Sequence, residues 1–219
     1  MSTAEDPLAR VLRTGLVAIL RAPSGDRLAD ACEALLAGGV EVIEVTFTVP
    51  RAERVLETVA DRLGDRILLG AGTVLDAATA RVAISAGAQF LVSPAVQPEV
   101  IQTCRLYGKL AMPGAFTPTE IVTAWQAGAD IVKVFPSDCV GPQYLKALRG
   151  PLPQIRLMPT GGINAENCGE FIKAGACALG VGGALAEPKA LMEGDLARIE
   201  AQARRFVEAV AAARAAQKA

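Results

Sequence analysis

Four helical patterns in this chain end in nearly the same phrase, and each phrase runs straight into a β-rich segment: Ala37-Gly38-Gly39-Val40, Ala86-Gly87-Ala88-Gln89, Ala127-Gly128-Ala129-Asp130 and Ala174-Gly175-Ala176-Cys177. Glycine just past a helix closes its C-terminus in a left-handed turn, so each phrase reads as a helix stop followed by a strand start. Strands are expected at Leu16–Arg21, Glu41–Phe47, Arg66–Thr73, Gln89–Pro94, Leu110–Ala115, Asp130–Pro136, Ile155–Gly161 and Ala178–Gly182, with starts recurring every 20 to 25 residues. Helical patterns fill the gaps at Asp26–Ala37, Arg51–Leu63, Ala77–Ala86, Pro98–Tyr107, Thr119–Ala127, Gln143–Leu148 and Ala165–Lys173, and a longer last helix begins near Gly194. Eight such units, with no linker rich in Pro, Ser or charge, predict an α/β chain folded as a single-domain (β/α)8 TIM barrel over residues 1–219. Residues 1–14 would form an N-terminal helix or extension. The rival is a doubly wound open sheet, which would want a Gly-x-Gly-x-x-Gly turn after the first strand; Ala22-Pro23-Ser24-Gly25 is not one.

Composition narrows the chemistry by exclusion. Of 219 residues, 52% are hydrophobic, enough for a sizeable core. The 22 basic and 23 acidic residues nearly cancel, so no chain-wide field would draw nucleic acid or an anionic membrane, and neither is an expected partner. Met1 to Arg13 is unlike a secretory signal, and no apolar stretch is long enough to span a bilayer. The five cysteines (Cys32, Cys104, Cys139, Cys168, Cys177) contain no C-x-x-C pair and fit a reducing cytosol, where they are read as structural. Histidine is absent altogether. That removes the usual Ser-His-Asp and Cys-His systems and the commonest ligand of catalytic zinc. Any chemistry must run on Lys, Glu, Asp, Tyr or Cys.

A barrel of this kind places its active site at the C-terminal ends of the strands, so polar residues late in strands become candidates. They are Arg21, Glu44, Thr46, Thr48, Thr73, Ser93, Lys133, Ser137, Thr160 and the pairs Gly161-Gly162 and Gly182-Gly183. By period-two alternation Lys133 shares a face with Ile131 and Phe135 inside an apolar strand. Burial would lower its pKa and free its amine as a nucleophile; the bland alternative is a lysine that snorkels to the barrel rim or pairs with a carboxylate. Glu44, within Val42-Ile43-Glu44-Val45, would have a raised pKa suited to proton transfer, or would serve only as a buried ion-pair partner for Lys133 or Arg21. The two double-glycine turns let backbone N–H groups approach an anion, although glycine is also simply a good turn residue. Trp125 and Met112 read as packing residues. Arg198, Arg204 and Arg205 read as the solvated face of a last helix whose apolar face is Leu196, Ile199, Phe206 and Val210.

Seven ordered motifs then carry a resemblance over nearly the whole chain: Val17-Ala18-Ile19-Leu20-Arg21, Ile43-Glu44-Val45-Thr46-Phe47, Gly70-Ala71-Gly72-Thr73-Val74, Val92-Ser93-Pro94, Met112-Pro113-Gly114, Val132-Lys133-Val134-Phe135-Pro136 and Pro159-Thr160-Gly161-Gly162-Ile163. Together they resemble the 2-keto-3-deoxy-6-phosphogluconate (KDPG) and 4-hydroxy-2-oxoglutarate (KHG) aldolases, class I enzymes of the Entner–Doudoroff type. The resemblance implies that Lys133 forms an imine with a keto-acid substrate, that Glu44 shuttles protons, and that Thr73 and the turn near Pro94 help hold the keto-acid end. Phe135, Thr160 and the two glycine pairs complete the implied binding set for a phosphorylated substrate. A cytoplasmic homotrimer with no metal or other cofactor is implied as well. The expected products are pyruvate with glyceraldehyde 3-phosphate, or with glyoxylate from the shorter substrate.

Two positions depart from the family pattern. Thr48 stands where many members carry the arginine that grips the substrate carboxylate, and Arg21 is the expected substitute, since a guanidinium binds a carboxylate through two parallel hydrogen bonds. Ala184 stands where some relatives have a serine near the phosphate. Phe135 to Tyr144 also resembles the galactonate-derived relatives, which act on the C4 epimer. A phosphate-binding barrel isomerase that uses Glu44 as a base without covalent chemistry is the rival from another class.

Overall fold

The computed structural model describes residues 5–218. Its strands are β1 (Leu16–Leu20), β2 (Val42–Thr46), β3 (Leu68–Gly72), β4 (Phe90–Val92), β5 (Leu110–Met112), β6 (Gly114–Ala115), β7 (Val132–Val134), β8 (Leu157–Pro159) and β9 (Leu179–Val181). The helices are α1 (Pro7–Thr14), α2 (Leu28–Ala37), α3 (Ala52–Leu63), α4 (Ala77–Ser85), α5 (Pro98–Leu106), α6 (Pro118–Gln126), α7 (Gly141–Arg149), α8 (Cys168–Lys173), α9 (Pro188–Glu193) and α10 (Leu196–Lys218). The extension expected over 1–14 is helix α1 from Pro7 onward; residues 1–4 lie outside the described residues.

The recurring glycine phrases close helices as expected. In the second phrase Gly87, at φ 106°, donates to Ile84 O at 3.1 Å, and Ala88 donates five residues back to Ala83 O at 3.0 Å. This is the paired 5→2 and 6→1 bonding of a Schellman turn. The phrase after α6 repeats it: Gly128 donates to Trp125 O and Ala129 to Ala124 O. A residue with a Cβ would be strained at that φ, which is why the phrase keeps glycine in that place.

The strands form a curled parallel sheet in two parts, β5-β4-β3-β2-β1-β9 and β6-β7-β8. The fifth strand, expected as one run from Leu110 to Ala115, is divided between β5 and β6. Pro113 has no N–H to give a ladder, although its carbonyl still accepts from Lys133 N at 2.9 Å. At the other junction a single parallel bridge joins Thr160, just past β8, to Gly180 of β9. The third strand starts later than expected because Gly64–Arg66 winds into a 3-10 turn. Helix α9 was not expected; it is a six-residue helix opened by Pro188.

Alternation along each strand sorts the apolar side chains onto two faces. One face packs under the helices. The other gathers Val17, Val42, Leu68, Phe90, Met112, Ile131 and Met158 into an inner cluster. Val11 of α1 is wholly buried in that cluster, with Leu8 against it, so α1 covers the N-terminal ends of the strands. Arg10 fixes the helix there, reaching the Glu41 carboxylate at 3.0 Å and the carbonyls of Asp65 and Arg66. Met112 is thus a core residue, and Trp125 packs half-buried against the outer core with the Arg156 guanidinium over its ring. In α10 Ile199, Phe206 and Val210 are buried, but Leu196 is 37% exposed, a correction to its expected place in the core: it is the first residue of the helix, where no neighbouring turn covers it.

Candidate active site

Six polar or charged residues are buried among the described residues: Glu44, Thr46, Ser93, Lys133, Ser137 and Thr160. Thr46, Ser93, Ser137 and Thr160 lie at or just beyond the C-terminal ends of their strands, while Glu44 and Lys133 lie mid-strand in β2 and β7. A buried polar group costs stability unless it is paired, so a cluster of them at one end of a sheet calls for a reason beyond folding.

Lys133 occupies the middle of β7, in register with Gly114 of β6 and Met158 of β8, and its side chain is 7% exposed. Its Nζ lies 4.8 Å from the centre of the Phe135 ring, on the face that alternation predicts for both. Burial holds its pKa below the ordinary 10.5; the nearby Glu44 charge works against that shift and the Arg21 charge adds to it. Glu44, in β2 and in register with Ile19 of β1 and Gly70 of β3, is 1% exposed. Burial raises its pKa above 4.5, while Lys133 and Arg21 pull it down. Each partner thus feels the other's charge, and in each the burial cost is the larger effect. Burial therefore disfavours the charged form of each group, and the opposite charge of the other restores part of it. Glu44 Oε2 has no hydrogen-bond partner.

Arg21 follows β1 directly, is exposed, and forms no ion pair among the described residues. Its charge reaches both Glu44 and Lys133, so it stands at the rim of the same site. Thr48 is also exposed, and its hydroxyl is engaged with Thr46 Oγ1 at 2.8 Å, while Thr46 in turn donates to Leu20 O at 3.1 Å. Thr48 is therefore engaged in tying the β1 and β2 ends together.

Thr73, immediately after β3, has φ 57°, a left-handed conformation rare for a β-branched residue. Val74 N then donates to Val92 O at 3.1 Å, which holds the turn beside the next strand. Pro94 packs its carbonyl against Gly114, where a Cβ would come within 2.3 Å of it. Past β7, the Ser137 hydroxyl donates to Val134 O at 2.7 Å and Ser137 N to Thr160 O at 2.9 Å, clamping the Phe135-Pro136 segment to the end of β8. Gly161 and Gly162 both have left-handed backbones, with Asp138 packed over them. Gly182 accepts from Leu185 and Ala186, while Gly183 and Ala184 border a cleft of about 260 Å³ shared with Asn164 and Arg205. A separate cleft of about 530 Å³ runs between Ser24 and Arg54 and contains neither Lys133 nor Glu44. Among the cysteines, burial pushes the Cys32 and Cys104 thiols up to about 12, far from nucleophilic thiolates.

Residues 9–202 match the model of the KDPG and KHG aldolase family. The chain belongs to that family. It is similar to the 2-dehydro-3-deoxy-6-phosphogalactonate aldolase of Escherichia coli K12, 36% identical over 195 residues that span 89% of this chain and 93% of that one. It is also similar to the 2-dehydro-3-deoxy-phosphogluconate aldolase of Treponema pallidum, 35% identical over 190 residues, 84% of this chain and 90% of that one. In three dimensions it resembles a KDPG aldolase from Legionella pneumophila with pyruvate captured at low pH as a covalent carbinolamine intermediate. That match has a TM-score of 0.85 at 27% identity and covers 92% of this chain and 98% of the other. The family places the chain among the carbon–carbon lyases. Among the described residues no helix is long and apolar enough to cross a membrane.

Gly72, at the end of β3, and Gly180, within β9, are not among the candidate residues that the sequence pattern singles out. Glycine inside a strand signals a close approach, but what approaches it is decided by the neighbouring strand.

Proposed function

We propose that the chain is a Schiff-base aldolase that cleaves 2-keto-3-deoxy-6-phosphogluconate to pyruvate and glyceraldehyde 3-phosphate, and that also accepts 4-hydroxy-2-oxoglutarate, giving pyruvate and glyoxylate. The observation that carries this reading is the buried Lys133 within reach of the charge of the buried Glu44, whose Oε2 has no hydrogen-bond partner. Neutral Lys133 attacks the C2 ketone, and the carbinolamine hydroxyl takes up a proton from solvent and leaves as water, giving a protonated imine. Glu44 takes the proton of the C4 hydroxyl, the C3–C4 bond breaks, and its electrons pass to the imine nitrogen as the aldehyde leaves. The enamine is reprotonated at C3 from the Glu44 carboxyl, and water releases pyruvate and the free lysine. The imine is the electron sink, so the sequence of steps calls for no metal. Supporting the wider reading, the break at Pro113 and the Thr160–Gly180 bridge are the two seams at which both sheets would close as one eight-stranded barrel, a single domain over 1–219. We extend the proposal to a cytoplasmic homotrimer, as the motif resemblance implies.

Incubation with pyruvate and borohydride tests the covalent step. Reduction should fix a pyruvate-derived adduct on Lys133 and inactivate the enzyme; active enzyme left unlabelled there would refute the imine and favour the isomerase reading.

Arg21 serves as the carboxylate clamp in place of the absent arginine at position 48, with Thr73 and the Pro94 turn beside it. Charge-assisted hydrogen bonds are worth about 1.5–3 kcal/mol, so Arg21→Ala should raise KM roughly ten- to a hundredfold with a smaller change in kcat. Unchanged pyruvate binding would move the clamp elsewhere. The kinship with a phosphogalactonate aldolase favours a second reading, in which the C4 epimer is the better substrate. Comparing kcat/KM for the two epimers and for 4-hydroxy-2-oxoglutarate decides between them.

A further inference from the structure

Glycine within a strand weakens it unless the missing side chain is put to use. Gly72, the last residue of β3, and Gly180, in the middle of β9, both have backbones outside the left-handed region, so alanine could adopt either conformation without strain. Space is what forbids it. A Cβ on Gly72 would lie 1.6 Å from Glu44 Oε1, 2.4 Å from its Cδ and 2.8 Å from its Cγ. On Gly180 it would lie 2.2 Å from Thr160 Oγ1. The same two side chains, Glu44 and Thr160, hold the buried side-chain polar atoms that lack a hydrogen-bond partner among the described residues.

That coincidence has a physical reading. Neither the Glu44 carboxyl nor the Thr160 hydroxyl is fixed by a full set of hydrogen bonds, so something else must select its rotamer. Packing against a bare Cα on the adjacent strand does so while leaving polar atoms uncommitted. We infer that Gly72 and Gly180 are positioning residues, seats that hold the Glu44 carboxyl and the Thr160 hydroxyl in place for substrate, Gly72 governing proton transfer and Gly180 substrate binding. This rests on the reading of Glu44 as the proton carrier.

The test separates covalent chemistry from proton transfer. A Schiff-base aldolase exchanges the methyl protons of pyruvate with solvent through the enamine, a step that needs both Lys133 and a correctly placed Glu44. Gly72→Ala should still be labelled at Lys133 by pyruvate and borohydride with near wild-type KM. Its methyl exchange and kcat should fall about a hundredfold, the loss typical of a displacement near 1 Å. Gly180→Ala should instead raise KM more than it lowers kcat. Thermal midpoints supply a second readout that does not depend on activity. Glu44→Ala removes the three atoms nearest the new methyl, so most of the destabilisation caused by Gly72→Ala should vanish in the Glu44→Ala background. Undiminished exchange in Gly72→Ala would overturn the inference, and so would an equal loss of thermal midpoint with or without the Glu44 side chain. A wild-type enzyme that is never labelled at Lys133 would instead count against the functional reading; the midpoints would still decide whether Gly72 seats Glu44.

Discussion

Lys133→Met is expected to abolish aldol cleavage, by on the order of 10^4-fold or more, as when a nucleophile that acts as a unit with its base is removed. Methionine nearly matches lysine in length and carries no charge, and its thioether can sit on the Phe135 ring that the Lys133 Nζ now faces at 4.8 Å. The fold should therefore survive, and stability should change in a predictable direction. The folded-state pKa of Lys133 is depressed below 10.5, so over the window between that lowered value and 10.5 the unfolded chain binds more protons and wild-type stability rises with pH. Below the window the full penalty of the buried ammonium stands. Lys133→Met removes it, so the variant should be more stable than wild type at neutral pH, with an advantage that shrinks as pH climbs toward 10.5. Urea unfolding at several pH values reads the stability arm, and a coupled assay for pyruvate release reads the activity arm. Substantial cleavage by Lys133→Met would end the covalent reading. Lys133→Arg is the sharper control against the isomerase rival, because arginine keeps the charge but cannot form the imine.

Much of this site was legible in the sequence because charge inside an apolar strand is conspicuous. Val-Lys-Val and Ile-Glu-Val advertise Lys133 and Glu44, and alternation alone puts Lys133 on the face of Ile131 and Phe135. The strand spacing and the glycine phrases likewise carried the order of elements, since helix stops and strand starts are local signals. The elements it misjudged depend on partners or on subtler local chemistry. Pro113 divides the fifth strand although its neighbours read as one run; the missing donor is a sequence signal that hydrophobic pattern outweighed. Thr73 takes a left-handed turn that no residue-type preference announces, because its neighbours in β3 and β4 impose it. Gly72 meets Glu44 only through the β2–β3 register, in which Thr46 sits opposite Gly72 and Glu44 opposite Gly70. Register is fixed by the packing of whole sheets, not by the few residues at the contact.

Glu44→Gln should lower kcat by about 10^2- to 10^4-fold, the range typical of a lost general acid–base, while leaving Lys133 open to trapping by pyruvate and borohydride. The pH dependence makes this more than a loss-of-function result. Cleavage needs Glu44 as the carboxylate, and burial holds its pKa above 4.5, so wild-type kcat should fall as pH drops through that raised value. In Glu44→Gln this acid limb should be missing from the residual activity. Stability supplies an independent check with a worked sign. A carboxyl whose folded pKa is raised contributes stability below 4.5 that is lost as pH rises through the folded value, because over that window the native state holds a proton that the unfolded chain has released. Glutamine cannot titrate, so its stability relative to wild type should grow with pH across the same window and then level off. Lys133 bears on the outcome as well. Its charge pulls the Glu44 pKa down, so in Lys133→Met the Glu44 titration, followed by NMR of a carboxyl-labelled glutamate, should move further up. A midpoint unmoved by Lys133→Met would mean that the two groups do not share one site, whatever either single substitution does to the rate.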